Sequence, residues 1–473
     1  MDDYKQLVKQ IKSTVKTNNK KTILVDRLNS IYVDALFIRD IYTNFLLSRF
    51  PILANERCGN WYIPSDIRYN DSVYFKSTDG HIGKWDFSLK RLNLNLLSIV
   101  NQYKGAVIVD STQKGKSYPD SFSRTIPVYC AVINLAIYNY LIENNKDNIY
   151  QDKLKLWDKE FYAPHTVVSK NERESILNKL PELYSKLTNS SVDIAKINEL
   201  IELPLRPVYI TMNSNLIDFN QNNQFLHDVP FLPLILITAS NPNRANLKFQ
   251  NKHQIEFNYI QGAGDDEESW AKGIKWQSYW ENVDSILKYK TDDQILSLFK
   301  TDSEELRFKS IKNQNNMDFI ADSKVAIGNW KSGDPNNPGL RQIDLVINCC
   351  DQEYTAEKFN QKYLFLNIKE GKKGKEELFQ SIDKVLKYLQ NNSEHVKSIL
   401  CHCIQGKDRS VGIALAILLR FMGEDGKLNF QLKQRTVDKQ EMKNLIIHLL
   451  NYRPNIMPTR STIKKVIAYF NDN

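Results

Sequence analysis

The sequence predicts an α/β protein in two lobes, and three observations predict it. The chain has 473 residues, 42% hydrophobic and 25% charged, enough for two or three domains of ordinary globular composition. From residue 323 onward short apolar runs alternate with helical stretches, the pattern of strands joined by crossover helices. Within that half, Ser398-Ile399-Leu400 reads as a buried strand, Cys401–Ser410 as a tight loop and Val411–Leu419 as a helix. The expected boundaries are an N-terminal lobe over 1–285, a connection over 286–322 and a C-terminal lobe over 323–473.

Taken in order, residues 1–50 fit a helical period through Ile23–Ile31 and Leu36–Ile38. The lysines before them (Lys5, Lys9, Lys12, Lys16, Lys20, Lys21) read as a solvated face. Residues 51–125 change character. Three clusters there are polar, aromatic and Gly-rich beyond what periodicity explains: Arg57–Tyr62, Tyr74–His81 and Val107–Lys116. Between them Trp85–Leu92 alternates apolar and polar, which predicts a strand. Pro127 suits the first turn of a following helix. Helices are expected near Glu172–Leu187 and Val192–Ile201, and strands at Pro207–Thr211, Leu234–Thr238 and Gln254–Tyr259. Gly262-Ala263-Gly264 followed by the acids Asp265–Glu268 predicts a turn into a helix, where carboxylates suit the dipole. Residues 283–322 are polar and read as the link between lobes. Beyond it strands are expected at Ala326–Gly328, Leu345–Asn348, Tyr363–Leu366 and Val396–Leu400, with helices near Glu376–Gln390, Val411–Met422 and Met442–Leu450.

The net charge of +9 suits a polyanionic partner, either nucleic acid or a highly phosphorylated small molecule. The six cysteines (Cys58, Cys130, Cys349, Cys350, Cys401, Cys403) have neither disulfide-framework nor zinc-ribbon spacing, so reduced thiols in the cytoplasm or nucleus are expected. The first residues carry no apolar signal region, and no run is expected to be long enough to cross a membrane. A monomer is expected.

The strand–loop–helix at Cys401–Ser410 makes an anion cradle, because loop N–H groups and the positive helix end face inward together. Cys403-x5-Arg409 puts a thiol at its floor and a guanidinium at its rim. The phosphate contacts expected are Cys403, Gln405, Gly406, Lys407, Asp408, Arg409 and Ser410. His402, Cys403, Gly406, Arg409 and Ser410 resemble the His-Cys-x5-Arg-Ser signature of cysteine-dependent dual-specificity phosphatases. The stretch Tyr452–Pro458, read as a helical tail, resembles that family too. The resemblance implies a phosphatase-like C-terminal domain. Such enzymes need a general acid for the leaving oxygen, in that family an Asp on a loop upstream. The matching stretch here, Asn367–Lys375, has no Asp; it offers Glu370 and the four lysines Lys369, Lys372, Lys373 and Lys375. That loop reads as a positive lid, with Lys372 on the phosphate.

The N-terminal clusters carry a second resemblance. Arg57-Cys58-Gly59-Asn60-Trp61-Tyr62, Phe75–His81, Val109-Asp110-Ser111-Thr112-x-x-Gly115-Lys116 and Gly262-Ala263-Gly264-Asp265-Asp266-Glu267-x-x-Trp270 resemble those of the initiator tRNA 2′-O-ribosylphosphate transferase family of fungi and plants. This implies transfer of 5-phosphoribosyl from 5-phosphoribosyl-1-pyrophosphate to the 2′-hydroxyl of one T-stem adenosine of initiator methionine tRNA, with Mg²⁺ as the expected ion. Asp79, His81 and Asp110 are then candidates for base or ribose contact. Arg57, Asn60, Lys76, Ser77, Thr112, Lys114 and Lys116 are candidates for substrate contact, and Asp265 and Asp266 for the metal, since hard oxygens suit Mg²⁺. Structural roles stay open beside these: His81 as a hydrogen-bonded histidine, Asp265 and Asp266 as helix caps, Arg57 as a buried ion pair, Trp61 and Tyr62 as core. A cysteine-dependent phosphatase and a catalytically idle phosphate-binding module are the competing readings of the whole chain.

Overall fold

The computed structural model describes residues 23–113, 115–145, 148–157, 159–214, 226, 228–245, 247–299, 317–354, 359–433 and 435–472, with the backbone alone for Lys372, Lys373 and Asp472. Two units divide the chain: Met1–Ser88, Leu96–Lys186 and Ile194–Arg307 in the first, Leu89–Asn95, Leu187–Asp193 and Phe308–Asn473 in the second.

The first unit is built on β1 (Ile52–Asn55), β2 (Ser72–Val73), β3 (Ala106–Asp110), β4 (Leu205–Ile210) and β5 (Leu232–Thr238), all parallel in the order β2-β1-β3-β5-β4. Strands β3 and β5 are buried at every position, as their near-continuous apolar runs require in a sheet covered on both faces. The chain leaves β1 for β2 on one side, then returns to β3 on the other. That reversal opens a crevice between β1 and β3 at their carboxyl ends, where open α/β sheets take ligands. A two-stranded antiparallel hairpin, β6 (Lys248–Gln250) and β7 (Glu256–Asn258), stands apart from this sheet.

Six helices longer than one turn surround it before the hairpin: α1 (Ile23–Asp40), α2 (Leu94–Tyr103), α3 (Ile126–Glu143), α4 (Gln151–Leu156), α5 (Lys170–Thr188) and α6 (Ile194–Leu200). Four short ones follow it: α7 (Glu267–Trp270), α8 (Trp276–Glu281), α9 (Val283–Ile286) and α10 (Asp292–Leu298). Residues 283–299, read from the sequence as linker, belong to this fold. Ile286, Leu287 and Ile295 are buried, and Asp292 Oδ1 accepts from the Leu24 and Val25 N–H groups, both at 3.0 Å, satisfying the open end of α1.

Two further expectations for this unit need correction. Trp85–Leu92 is no strand. Its alternation is real, with Trp85, Phe87 and Leu89 buried, but it comes from an extended loop packed on helices: Phe87 stacks on Tyr129 of α3 and Trp85 Nε1 reaches Glu172 of α5 at 3.2 Å. A run long and apolar enough to cross a membrane also exists, at Ser121–Glu143. Most of it is buried inside the unit, where Asn134 bonds both backbone groups of Leu205 in β4.

The second unit's sheet runs β11-β10-β12-β9-β8. Its members are β8 (Met317–Phe319), β9 (Val325–Gly328), β10 (Leu345–Asn348), β11 (Lys362–Phe365) and β12 (Ile399–His402). The β8 edge is antiparallel and the other pairings are parallel. Four helices complete it: α11 (Lys375–Asn391), α12 (Arg409–Phe421), α13 (Lys439–Leu450) and α14 (Arg460–Asp472). The central helix α12 is buried along its whole length. The stretch Tyr452–Pro458, expected to be helical, is irregular chain between α13 and α14; Pro454 and Pro458 interrupt it.

Candidate functional site

In the first unit the four sequence clusters meet at the carboxyl edge of the sheet, around Asp110. This fully buried side chain at the end of β3 accepts six hydrogen bonds. Oδ1 takes Arg57 Nη2 at 3.0 Å, Cys58 Sγ at 3.0 Å and its neighbour Ser111 N–H at 2.8 Å. Oδ2 takes Asn55 Nδ2 at 2.8 Å, Arg57 Nε at 3.2 Å and Ser121 Oγ at 2.6 Å. Arg57 continues outward, with Nη1 at 2.7 Å from Asp265 Oδ1. Asn55 in turn exchanges two bonds with the Phe75 backbone, at 2.8 and 2.9 Å, and so ties the loop after β2 to the same point. Burial raises the Cys58 thiol, Asp110 raises it further although Arg57 opposes, and Cys58 stays a neutral donor.

A π-turn, Ser121–Thr125, feeds α3 and packs under the loop carrying Lys76–His81. Thr125 Oγ1 donates to Lys76 O at 3.1 Å, and a side chain on Gly80 would strike Asp120 O at 2.6 Å. At the rim, His81 Nε2 lies 3.8 Å from Asp120 Oδ2, and Lys116 Nζ lies 3.2 Å from the same carboxylate. His81 is half exposed, at 48%. Arg124 is locked bidentate on Glu172, at 2.6 and 2.9 Å. Lys76 is half-buried and has no ion-pair partner among the described residues. The loop after β3 is braced by Ser240, whose Oγ bonds Thr112 N and O, and by Gln261, which bonds Gly115 N and Lys116 O. Gly115, at φ +73, supplies a left-handed turn there.

The sequence candidates therefore fall into three groups. His81, Asp79, Lys76, Ser77 and Lys116 stand on the rim loops. Arg57, Asp110 and Thr112 form the braced floor. Asn60 is turned to a different task, accepting from Arg68, which stacks on Trp276. Trp61 and Tyr62 are core: Trp61 packs 4.8 Å from Trp270, and the Tyr62 hydroxyl accepts the Gly264 N–H at 2.7 Å. Lys114 lies outside the described residues. Asp265 is engaged by Arg57, Asp266 enters α7 at φ 53 with its side chain capping nothing, and no group of three or more His, Cys, Asp or Glu converges among the described residues. Mg²⁺ is commonly held by one or two carboxylates together with substrate phosphates and water, and Asp265 and Asp266 are carboxylates of this edge. Asp120, Ser121 and Glu172 escaped the sequence reading, because nothing in their local spacing distinguishes them from surface polar residues.

The second unit's cradle follows β12 as expected. Cys403 Sγ sits 3.2 Å from Ser410 Oγ and accepts the Gly406 N–H at 3.3 Å. Burial works against ionisation of Cys403, but Arg409, the Ser410 hydroxyl and the loop N–H groups outweigh it and hold the thiol below its usual range. Gly406 has φ +70, and a side chain there would strike Arg453 Nη2 and Gly328 O, both at 2.6 Å. The fully buried Arg453, in the irregular stretch after α13, donates to Gly406 O at 3.0 Å and pairs with Asp318 of β8. Gln405 is exposed, and Lys407 O accepts the Met457 N–H at 2.8 Å. The Asp408 carboxylate is a brace: its Oδ1 takes the Thr459 N–H at 2.7 Å and the Thr462 hydroxyl at 2.6 Å, so it fastens the loop to α14, and the backbone N–H is what Asp408 can offer a phosphate. Glu370 is exposed on the loop after β11, and Lys369 is paired with Glu377 at 3.1 Å. The Lys372 side chain lies outside the described residues.

Behind the loop, His402 is buried against Trp330 and Tyr354 with both ring nitrogens lacking a partner. Burial and the Arg409 charge push its pKa down to about 3. Between about pH 6.5 and that value the unfolded chain takes a proton that the folded chain refuses, so stability is full above the range and falls as the pH drops through it. His402→Asn is expected to flatten this part of the stability–pH curve, measured as denaturant midpoints of the second unit. An unchanged slope would rule out the assignment.

This arrangement has known relatives. A family model described as the Rit1 N-terminal domain matches residues 17–301, and one described as the Rit1 DUSP-like domain matches residues 362–470. A Saccharomyces cerevisiae protein named tRNA A64-2′-O-ribosylphosphate transferase is 29% identical over 97% of this chain and 94% of its own length. An uncharacterised Schizosaccharomyces pombe protein is 36% identical over 55% of this chain and 52% of its own. Among solved structures, a mouse putative dual specificity phosphatase is 15% identical, covering 34% of this chain and 90% of its own, with a TM-score of 0.26. The Yvh1 phosphatase domain from Chaetomium thermophilum is 14% identical, covering 33% and 96%, with a TM-score of 0.26. The crevice around Asp110 lies within the span of the first family model, which takes in more than half of the sequence, and on that ground the chain belongs to the Rit1 family.

Proposed function

We propose that this chain transfers 5-phosphoribosyl from 5-phosphoribosyl-1-pyrophosphate to the 2′-hydroxyl of adenosine 64 of initiator methionine tRNA, the position in the yeast relative's name. One observation carries the reading. Four separated clusters converge at the switch point of the first sheet, on an edge that offers a cation, a histidine and a braced loop together. The 2′-oxygen attacks C1 of the donor, the bond from C1 to pyrophosphate breaks, and the hydroxyl proton leaves to a base. His81 is that base: it stands at the rim, half exposed, with Asp120 3.8 Å away. Asp110 serves instead as the keystone that fixes Arg57 and the loops. Lys76 and the loop after β3 receive donor phosphates, where fixed charge and N–H groups meet the developing pyrophosphate. Mg²⁺ would be held by the donor's phosphates together with one or two carboxylates, Asp265 and Asp266 being those of this edge. The chain acts as a monomer on tRNA in the cytoplasm or nucleus.

The test is direct. Purified protein given initiator tRNA and donor labelled in its 5-phosphate is expected to move label into the tRNA. No transfer, with brisk hydrolysis of an aryl phosphate, would favour the phosphatase reading instead. The cradle of the second unit binds in this scheme and does no chemistry. Cys403→Ser is therefore expected to keep transfer within about threefold of wild type, while Arg409→Ala, which removes a charge-assisted grip, lowers tRNA affinity about tenfold or more. Loss of transfer in a folded Cys403→Ser protein would require a covalent role for the thiol.

A further inference from the structure

Arg409 carries a contact that the anion cradle does not need. Its Nη1 donates to Ile368 O at 2.7 Å and lies 3.3 Å from Asp351 Oδ1. Both side chains of the pair are largely buried, at 8% and 16% exposure. Asp351 reaches this point because β10 runs parallel to β12 in the sheet, so the chain leaving β10 emerges on the same edge as the Cys403 loop. Arg409 Nε and Nη2 bond no described residue.

Two consequences follow from this geometry. Held at Nη1, the guanidinium keeps its Nε–Nη2 edge for a ligand, and that edge is the fork that takes two oxygens of one phosphate. The neighbouring carboxylate cancels much of the charge behind the fork. Cys403, whose thiol is held below its usual range, and Asp351 are acidic groups that stand beside Arg409 at the cradle. The Asp408 carboxylate is turned to Thr459 and Thr462, and the amino end of α12 offsets about half a charge. Glu370 adds a further negative influence on Arg409 from the loop after β11. A phosphomonoester brings about two negative charges at neutral pH. A phosphodiester brings one and still presents the two free oxygens that a fork requires.

We propose that the cradle of the second unit takes a phosphodiester of an RNA backbone rather than a terminal phosphate, and that Asp351 sets this charge selectivity. The assignment rests on the RNA-modifying function above. It makes the domain a backbone grip, with Arg409 supplying geometry and Asp351 excluding dianions.

The experiment reads the cradle itself. Full-length protein is treated with neutral iodoacetamide at about pH 8, where inorganic phosphate is mostly dianionic, and alkylation of Cys403 is followed by peptide mass spectrometry. The protecting probes are adenylyl-adenosine, with one diester and no terminal phosphate, and inorganic phosphate. Wild type is expected to be protected by the dinucleotide at concentrations where phosphate has no effect. Asp351→Asn is expected to lower the half-protecting phosphate concentration about tenfold or more, by removing a like charge within a few ångströms, and to leave the dinucleotide value nearly unchanged. Asp351→Glu retains the charge and is expected to keep the wild-type order. It guards against a folding defect in the first variant. Phosphate protecting wild type better than the dinucleotide, or an unchanged order in Asp351→Asn, overturns the proposal. Transfer of labelled donor is measured on the same samples. Selectivity without transfer removes the proposed reaction and leaves the cradle assignment, whereas transfer without selectivity removes the cradle assignment alone.

Discussion

Asp110→Ala is expected to destabilise the first unit by about 3 kcal/mol, because removing one partner of a buried ion pair leaves the other charge poorly compensated. Arg57, whose side chain is only 16% exposed, would keep Asp265 as its remaining ion-pair partner. Asn55, Cys58, Ser111 and Ser121 would lose their common acceptor at the same time. The check is denaturant unfolding followed by tryptophan fluorescence, since Trp61 and Trp270 report from the same core. A double variant, Arg57→Met with Asp110→Ala, removes both charges and is expected to recover part of the loss, as neighbouring sites couple. If Asp110→Ala unfolds at the wild-type midpoint, the keystone role is wrong and the carboxylate becomes a candidate base again. The arrangement argues against that outcome. A carboxylate offers roughly four lone-pair sites, and those of Asp110 are already oversubscribed.

His81→Ala is expected to slow transfer by about 10²–10⁴-fold, the usual range for loss of a positioned base. Its effect belongs in kcat rather than in tRNA affinity, because the half-exposed ring meets the rest of the fold only at Asp120, 3.8 Å away, among the described residues. Single-turnover transfer with saturating donor separates the two. Asp120→Asn is expected to produce a smaller loss, since its carboxylate stands 3.8 Å from His81 Nε2 and helps to place the ring. Asp120 also holds Lys116 and Arg124. Full activity in His81→Ala would pass the base role to Asp79, or mean that proton loss lags bond formation.

The two sites differ in how far the sequence exposes them, and the reason is the range of the contacts. The cradle is a contiguous loop between one strand and one helix. Its backbone rules are local: a glycine at positive φ, a buried strand before it and a helix start after it. Even so, its supports are distant. Arg453 and Asp351 reach the loop from positions 47 and 58 residues away in the chain. Asp408 looked like a phosphate contact by position alone, yet its carboxylate faces α14. The crevice of the first unit is the opposite case. Asn55, Arg57, Asp110 and Asp265 touch across separations as large as 208 residues (57 to 265), and no periodicity encodes such contacts. Its clusters were visible as departures from pattern, but their meeting point was not.

Periodicity also misled where its physical cause was different. Trp85–Leu92 alternates because it is irregular chain whose Trp85 and Phe87 turn onto α5 and α3, which yields the same two-residue burial rhythm as a strand. The apolar run at Ser121–Glu143 has the length of a membrane span because a helix over a fully buried sheet is covered on nearly every side.

By itself the sequence determined the α/β class, the strand–loop–helix cradle with Cys403 and Arg409, and the four clusters that mark the first unit, since each depends on residues adjacent in the chain. Only the tertiary structure decided that Asp110 is a keystone, that Asp265 pairs with Arg57, that Asp120 stands beside His81 and that Asp351 faces Arg409. Charge, burial and hydrogen-bond capacity at a site are properties of everything that surrounds it, and for these residues the surroundings come from remote parts of the chain.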